Sequence, residues 1–359
     1  MRDLFLLDPD VVYLNHGSFG ACPRPVFETY QRLQVELERE PVEFLGRERR
    51  LPGRLEPARL TLAEYVGSPP GDLVFATNAS AALNTAIRSL DLQPGDEVLL
   101  GDAEYGGLDI LWNWVAATRG VDLRRVPFDD LDPGPRTRVV FCSHVEWTTG
   151  RINDIAPLCA AARAVGAVSI VDGAHAPGQI DVDLVACGAD VYAGNCHKWM
   201  CAPKGSGFLY ARPEIQGRIE PPVISWDYVE DAPFAQRHRW QGTRDPAAYL
   251  SVPAAIDFQA EHDWTSVRRR SHVLLEEFAN TSGLEPLTDT FSQMLGFRLP
   301  VDDGESFKHD LWERHRIEIP VLHVADSWVL RVSVQAYNDE SDLDTLRAAV
   351  ARAALRPSA

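Results

Sequence analysis

Tyr192-Ala193-Gly194-Asn195-Cys196-His197-Lys198-Trp199 sets a lysine between a histidine and a tryptophan, directly after a short apolar run. The chain has 32 arginines but only three lysines, Lys198, Lys204 and Lys308. A base composition that favours arginine codons accounts for the overall bias, but a solvated surface charge explains Lys198 poorly. A guanidinium stays protonated, whereas a desolvated lysine amine loses its proton readily and becomes a nucleophile. Chemistry that needs a free amine therefore has three candidates. Lys204, in Lys204-Gly205-Ser206-Gly207, lacks the upstream glycine spacing of a phosphate-binding loop and leads into a strand, so it reads as a turn.

Outward from this stretch, short apolar runs alternate with amphipathic segments. The runs are Leu73 to Ala76, Glu97 to Leu100, Val121 to Val126, Val139 to Cys142, Val168 to Val171, Val191 to Ala193 and Gly207 to Tyr210. Helical spacing falls between several of them, at Ser80 to Leu90, Leu108 to Thr118 and Ile155 to Val165. This alternation predicts an α/β fold whose mainly parallel sheet is covered on both faces. Val26, Tyr30, Leu33 and Leu37 predict a half-buried helix ahead of Pro41. Beyond Pro221-Pro222, helices are expected at Ala247 to His262 and Thr265 to Ser282, and strands at Met294 to Leu299, Glu318 to Val321 and Trp328 to Val334, before a last helix from Asp342 to Leu355. That order suits a small α+β domain. A chain of 359 residues exceeds what one core usually supports, so we expect a large domain over 16–245 and a small one formed by 1–15 and 246–359.

In open parallel sheets ligands gather beyond the carboxyl ends of the strands. Thr77-Asn78-Ala79-Ser80 follows the first run at the start of a helix, where free backbone donors suit an anion, although an ordinary helix cap explains it as well. Gly101-Asp102-Ala103-Glu104-Tyr105-Gly106-Gly107 places an aromatic ring between glycines, and Asp172-Gly173-Ala174-His175 places a carboxylate at a strand end. Alone, these read as packing and as a turn.

Charge and composition exclude other classes. A net charge of −17 argues against general affinity for nucleic acid or anionic lipid. No apolar stretch approaches bilayer length, and the N-terminus lacks the regions of a secretion signal, which makes a cytoplasmic protein the expectation. The six cysteines show no paired metal spacing and there is no His-Glu-x-x-His pattern, so no metal site is expected.

Asp172-Gly173-Ala174-His175, followed by Lys198 in its Gly-Asn-Cys-His-Lys-Trp context, resembles the class V aminotransferase group of fold-type I pyridoxal 5'-phosphate (PLP) enzymes. Tyr13 to Gly20, Pro41 to Arg47 and Trp240-Gln241-Gly242-Thr243-Arg244-Asp245 are most similar to isopenicillin N epimerase and its relatives. The resemblance runs from about Tyr13 to Leu346. It implies a fold-type I PLP-dependent transferase fold, with a three-layer large domain and a small α+β C-terminal domain. It implies further that Lys198 holds PLP as a Schiff base, that Asp172 pairs with the pyridinium nitrogen, that Tyr105 stacks on the ring, and that His175 lies near the phenolic oxygen. Asn78, Ala79, Ser80 and His197 fall at the phosphate, which Thr243 reaches from a neighbouring subunit, so a homodimer with shared active sites is expected. Asn15, His16, Arg47 and Arg331 fall at the substrate, with Arg331 holding a carboxylate.

On this reading Lys198 is both anchor and base for an amino-acid substrate. Epimerisation needs a second proton donor, for which His16 and Tyr105 are candidates. Transamination remains open, and the alternative reaction is carbon–sulfur lysis. Persulfide-forming desulfurases use a C-terminal cysteine, and no Cys follows Cys201. A PLP-binding regulator without turnover is disfavoured, because the chain reaches the cofactor-domain motifs by Tyr13 and is acidic.

Overall fold

The structure, a computed structural model, describes residues 1–354. Seven strands form one sheet: β1 (Leu73–Ala76), β2 (Glu97–Gly101), β3 (Asp122–Val126), β4 (Thr137–Ser143), β5 (Val168–Gly173), β6 (Val191–Asn195) and β7 (Gly207–Ala211). Their spatial order is β1-β7-β6-β5-β4-β2-β3. All are parallel except β7, which runs antiparallel to both β1 and β6. The exception has a local cause. A parallel return needs a crossover of a dozen or more residues, usually a helix, whereas residues 196–206 form only a tight turn. That turn carries Lys198.

Successive residues of each strand point to opposite faces, and two cores divide accordingly. Leu73, Leu99, Val140, Cys142, Val171, Tyr192 and Phe208 join a core completed by helices α2 (Arg50–Tyr65) and α5 (Ile155–Ala164). Val74, Val98, Leu100, Val139, Phe141, Ile170, Val191 and Leu209 join the other core, against α3 (Ala79–Ser89) and α4 (Gly106–Arg119). The result is three layers. Helix α1 (Arg24–Arg39) forms as its apolar spacing predicts.

Helix α2 escapes the sequence pattern, because Pro52, Gly53 and Pro57 read as breakers. Burial of Leu51, Ala58, Leu62 and Ala63 outweighs their cost. The helix expected over Ala247 to His262 is split at Ser251 into Ala247–Leu250 and α6 (Val252–Glu261), with Pro253 at the start of the second part. α7 (Trp264–Thr281) follows.

A second sheet holds β8 (Glu285–Pro286), β9 (Met294–Leu299), β10 (Val321–Val324) and β11 (Ser327–Ser333) in the order β10-β11-β9-β8. The strand expected over Glu318 to Val321 is interrupted at Pro320: Ile317–Glu318 pairs with Val12–Tyr13, and Val321 starts β10. A proline supplies no N–H to either ladder. Two more helices complete this part, α8 (Gly304–His315), which the sequence pattern does not reveal, and α9 (Glu340–Ala354); Leu355, the expected end of the last helix, lies outside the described residues. Leu14 of the N-terminal arm joins the core of this second sheet. No helix among the described residues is long and apolar enough to cross a membrane.

Candidate active site

The carboxyl ends of β1, β2, β4, β5 and β6 open onto a cavity of about 350 Å³, closed on another side by β10 and β11. Ser18, Asn78, Ala79, Ser80, Tyr105, Ser143, Trp147, Asp172, His175, His197, Lys198 and Arg331 line it.

Asp172 sits near the end of β5, in register with Ala193 on one side and Ser143 on the other. Its Oδ1 accepts the Ala174 N–H at 2.8 Å. Burial pushes its carboxyl above the usual range, while that hydrogen bond and the Lys198 charge pull the other way. A buried carboxylate with so little compensation is suited to a cationic partner in the cavity.

Lys198 projects from the turn after β6, and its Nζ lies 2.9 Å from His175 Nε2. Burial lowers the amine to about 7, with Arg331 adding to the effect and Asp172 opposing it. The same burial pushes His175 well below the ordinary imidazole value. The turn is braced from behind. His16 Nε2 lies 3.0 Å from the Lys198 carbonyl, and Lys204 Nζ donates to the Gly20 carbonyl at 2.9 Å. Lys204, read from sequence as a turn residue, thus ties the glycine loop to the lysine loop.

At the other end of the cavity, Asn78 caps α3 by accepting the Ala81 N–H at 2.8 Å. The Ala79 N–H, an expected phosphate donor, is already given to Asn195 Oδ1 at 2.8 Å. Asn195 had no role in the sequence reading; Ala79 and Ser80 both line the cavity at the first two residues of the helix. His197 Nδ1 lies 3.0 Å from the Ser206 carbonyl, so this nitrogen carries the hydrogen and Nε2 is left for the cavity.

Arg331 is almost wholly buried. Its Nη1 donates to the Trp147 carbonyl at 2.6 Å and its Nη2 to Ser18 Oγ at 2.9 Å, and its Nε has no partner among the described residues. Burial lowers the guanidinium to about 10. A buried cation at a cavity wall, with no carboxylate partner among the described residues, is suited to a carboxylate ligand.

Other expected residues stand elsewhere. His16 is fully buried outside the lining, its Nδ1 3.0 Å from Tyr337 Oη and its Nε2 at the Lys198 backbone, so both ring nitrogens are engaged. Its side chain is not among those that line the cavity. Asn15 donates to Glu318 Oε1 at 2.9 Å. Arg47 pairs with Asp227 at 3.5 Å and covers the Trp226 ring at 4.5 Å. Thr243 is exposed on a loop and does not line the cavity of its own chain.

Sequence reasoning missed Glu104, Ser143 and Trp147. Glu104 accepts from both the N–H and the hydroxyl of Ser143, at 3.0 and 2.6 Å, and burial pushes its carboxyl up to about 8. The Trp147 indole donates to the Glu104 carbonyl at 2.9 Å and meets the Tyr105 ring edge-on, with centroids 5.6 Å apart. The position of Glu104 directly before Tyr105, beyond a strand end, was the one available signal.

These residues fit PLP. An uncompensated carboxylate, an amine of lowered basicity, a half-exposed aromatic ring and a helix start with a histidine beside it correspond to the ring nitrogen, aldehyde, ring face and phosphate of that cofactor. With the seven-stranded sheet and its single antiparallel strand, they define a fold-type I PLP-dependent enzyme. The family model for aminotransferase class-V matches residues 28–290, and the chain belongs to this family. It is 39% identical to isopenicillin N epimerase of Amycolatopsis lactamdurans, covering 97% of this chain and 96% of the relative. To the isopenicillin N epimerase of Streptomyces clavuligerus it is 40% identical, covering 96% and 95%. In fold it is similar to a solved C-DES variant with glycine covalently linked to the PLP cofactor, at a TM-score of 0.85 and 24% identity over 98% of this chain and 99% of that one.

Proposed function

We propose that this protein epimerises the α-carbon of an amino-acid substrate, in the manner that the names of its relatives in Amycolatopsis and Streptomyces indicate. One observation carries the reading: Lys198, an amine of lowered basicity, and Arg331, a guanidinium with no carboxylate partner among the described residues, line the same cavity. PLP, when bound, supplies an electron sink for a carbanion at the α-carbon. Arg331 holds the substrate carboxylate through its guanidinium, oriented by the Trp147 carbonyl and Ser18. Asp172 holds a proton on the cofactor ring nitrogen. Lys198 would anchor the cofactor, and its amine, whose basicity near neutrality suits a base, would take the α-proton. Ser80 and His197 hold the phosphate.

With His16 set aside, Tyr105 is the donor for the second face, since its side chain lines the cavity. Thr243, exposed and absent from the lining of its own chain's cavity, completes the phosphate site of a second copy in a homodimer. Incubation with candidate amino acids in deuterated water, followed by NMR and chiral analysis, tests the reading. Deuterium at the α-carbon with both enantiomeric configurations present is the expected result. Keto acid, or ammonia with a released thiol, in place of inversion would redirect the assignment to transamination or lysis.

A further inference from the structure

We propose that Trp199 is a positioning residue that fixes the tautomer of His175 and thereby holds the Lys198 amine in its unprotonated, hydrogen-bond-accepting form. The inference rests on Lys198 being the amine that takes the cofactor. The Trp199 indole Nε1 lies 3.2 Å from His175 Nδ1. Both residues are buried, with relative exposures of 0% and 4%. Indole nitrogen donates and never accepts, so Nδ1 must present a lone pair. A neutral imidazole has one N–H, which is then at Nε2, 2.9 Å from Lys198 Nζ.

An N–H aimed at Nζ needs a lone pair there, and only the neutral amine has one. The ammonium would set donor against donor. Moving the imidazole hydrogen to Nδ1 would let the ammonium donate to Nε2, but it would oppose Nδ1–H to the indole N–H. The imidazolium meets both conflicts. Each route to a protonated lysine therefore breaks the Lys198–His175 contact, the Trp199 bond, or both.

The backbones of both residues are independently anchored. Gln179 donates to the His175 carbonyl at 2.7 Å and Gln259 to the Trp199 carbonyl at 3.2 Å. The indole also packs on the His16 ring, with centroids 4.9 Å apart. Asp172 and Arg331 act on Lys198 in opposite senses, and Lys198, Arg331, His197 and His16 all disfavour a charged His175. None of these charged groups changes when the indole is replaced. Their fields stay constant in the comparison.

Nitrogen-15 NMR of the cofactor-free protein reads the tautomer directly. The expected pattern at neutral pH is a bare Nδ1 and a protonated Nε2 on His175; a protonated Nδ1 overturns the proposal. The pH profile of PLP attachment, trapped with borohydride and mapped to Lys198, provides the functional readout. Trp199→Phe should move its midpoint upward by about one unit. In a His175→Ala background the same replacement should move nothing, and equal shifts in both backgrounds would show that Trp199 acts only through packing. If Trp199→Phe does not fold, the tautomer of the unaltered protein decides. A correct tautomer with label absent from Lys198 would leave the lock standing and remove the cofactor assignment.

Discussion

Lys198 Nζ and His175 Nε2 stand 2.9 Å apart across 23 residues of sequence, in a site buried enough to bring the amine to about 7. Only the unprotonated amine attacks an aldehyde. Uptake of PLP by the cofactor-free protein should therefore rise with pH through a midpoint near 7 and level off above it, rather than climbing toward the range of an exposed lysine. Stopped-flow absorbance across a pH series measures it. Lys198→Ala should abolish borohydride labelling altogether.

Among the described residues Arg331 meets no carboxylate, and it is braced by Trp147 and Ser18. Arg331→Lys retains a charge but loses the planar fork that grips a carboxylate through two parallel bonds. Steady-state kinetics should show KM raised by about 10²-fold, near 2.7 kcal/mol, with a smaller effect on kcat.

Gly20 has φ +70, and a Cβ there would collide with the His197 carbonyl oxygen and crowd the Lys198 backbone. Both backbone strain and overlap oppose any side chain. Gly20→Ala should destabilise the protein by about 2 kcal/mol or more and weaken cofactor retention. Denaturant midpoints and the absorbance of bound cofactor report the two effects.

Glu104 holds its proton to about 8 in the folded chain, against an ordinary value of 4.5. The unfolded chain releases that proton first, so this group lowers stability progressively as pH rises from about 4.5 to about 8. Glu104→Gln removes the titration. Urea denaturation of the cofactor-free variant should show a gain over the unaltered protein that grows across this window, reaching on the order of a few kcal/mol above pH 8. A difference that stays flat with pH would count against a buried, protonated Glu104.

The sequence by itself determined the strands of the large sheet and the candidates that follow them. Runs such as Leu73–Ala76 are covered on both faces and so read as apolar throughout, and strand-end residues such as Asp172 follow from the geometry of parallel sheets. Lys198 stood out because the chain uses lysine so sparingly. Tertiary structure alone decided which neighbours complete the site. His16 and Asn15 lie beside plausible motif residues in sequence, yet their side chains turn to Tyr337 and Glu318, more than three hundred positions away. Glu104 and Ser143 meet only because β2 and β4 are adjacent. Helix α2 formed despite two prolines because burial of Leu51 and Leu62 overrides local propensity. Local patterning records which face of a strand or helix is apolar; hydrogen-bond partners distant along the chain are set by how those faces pack.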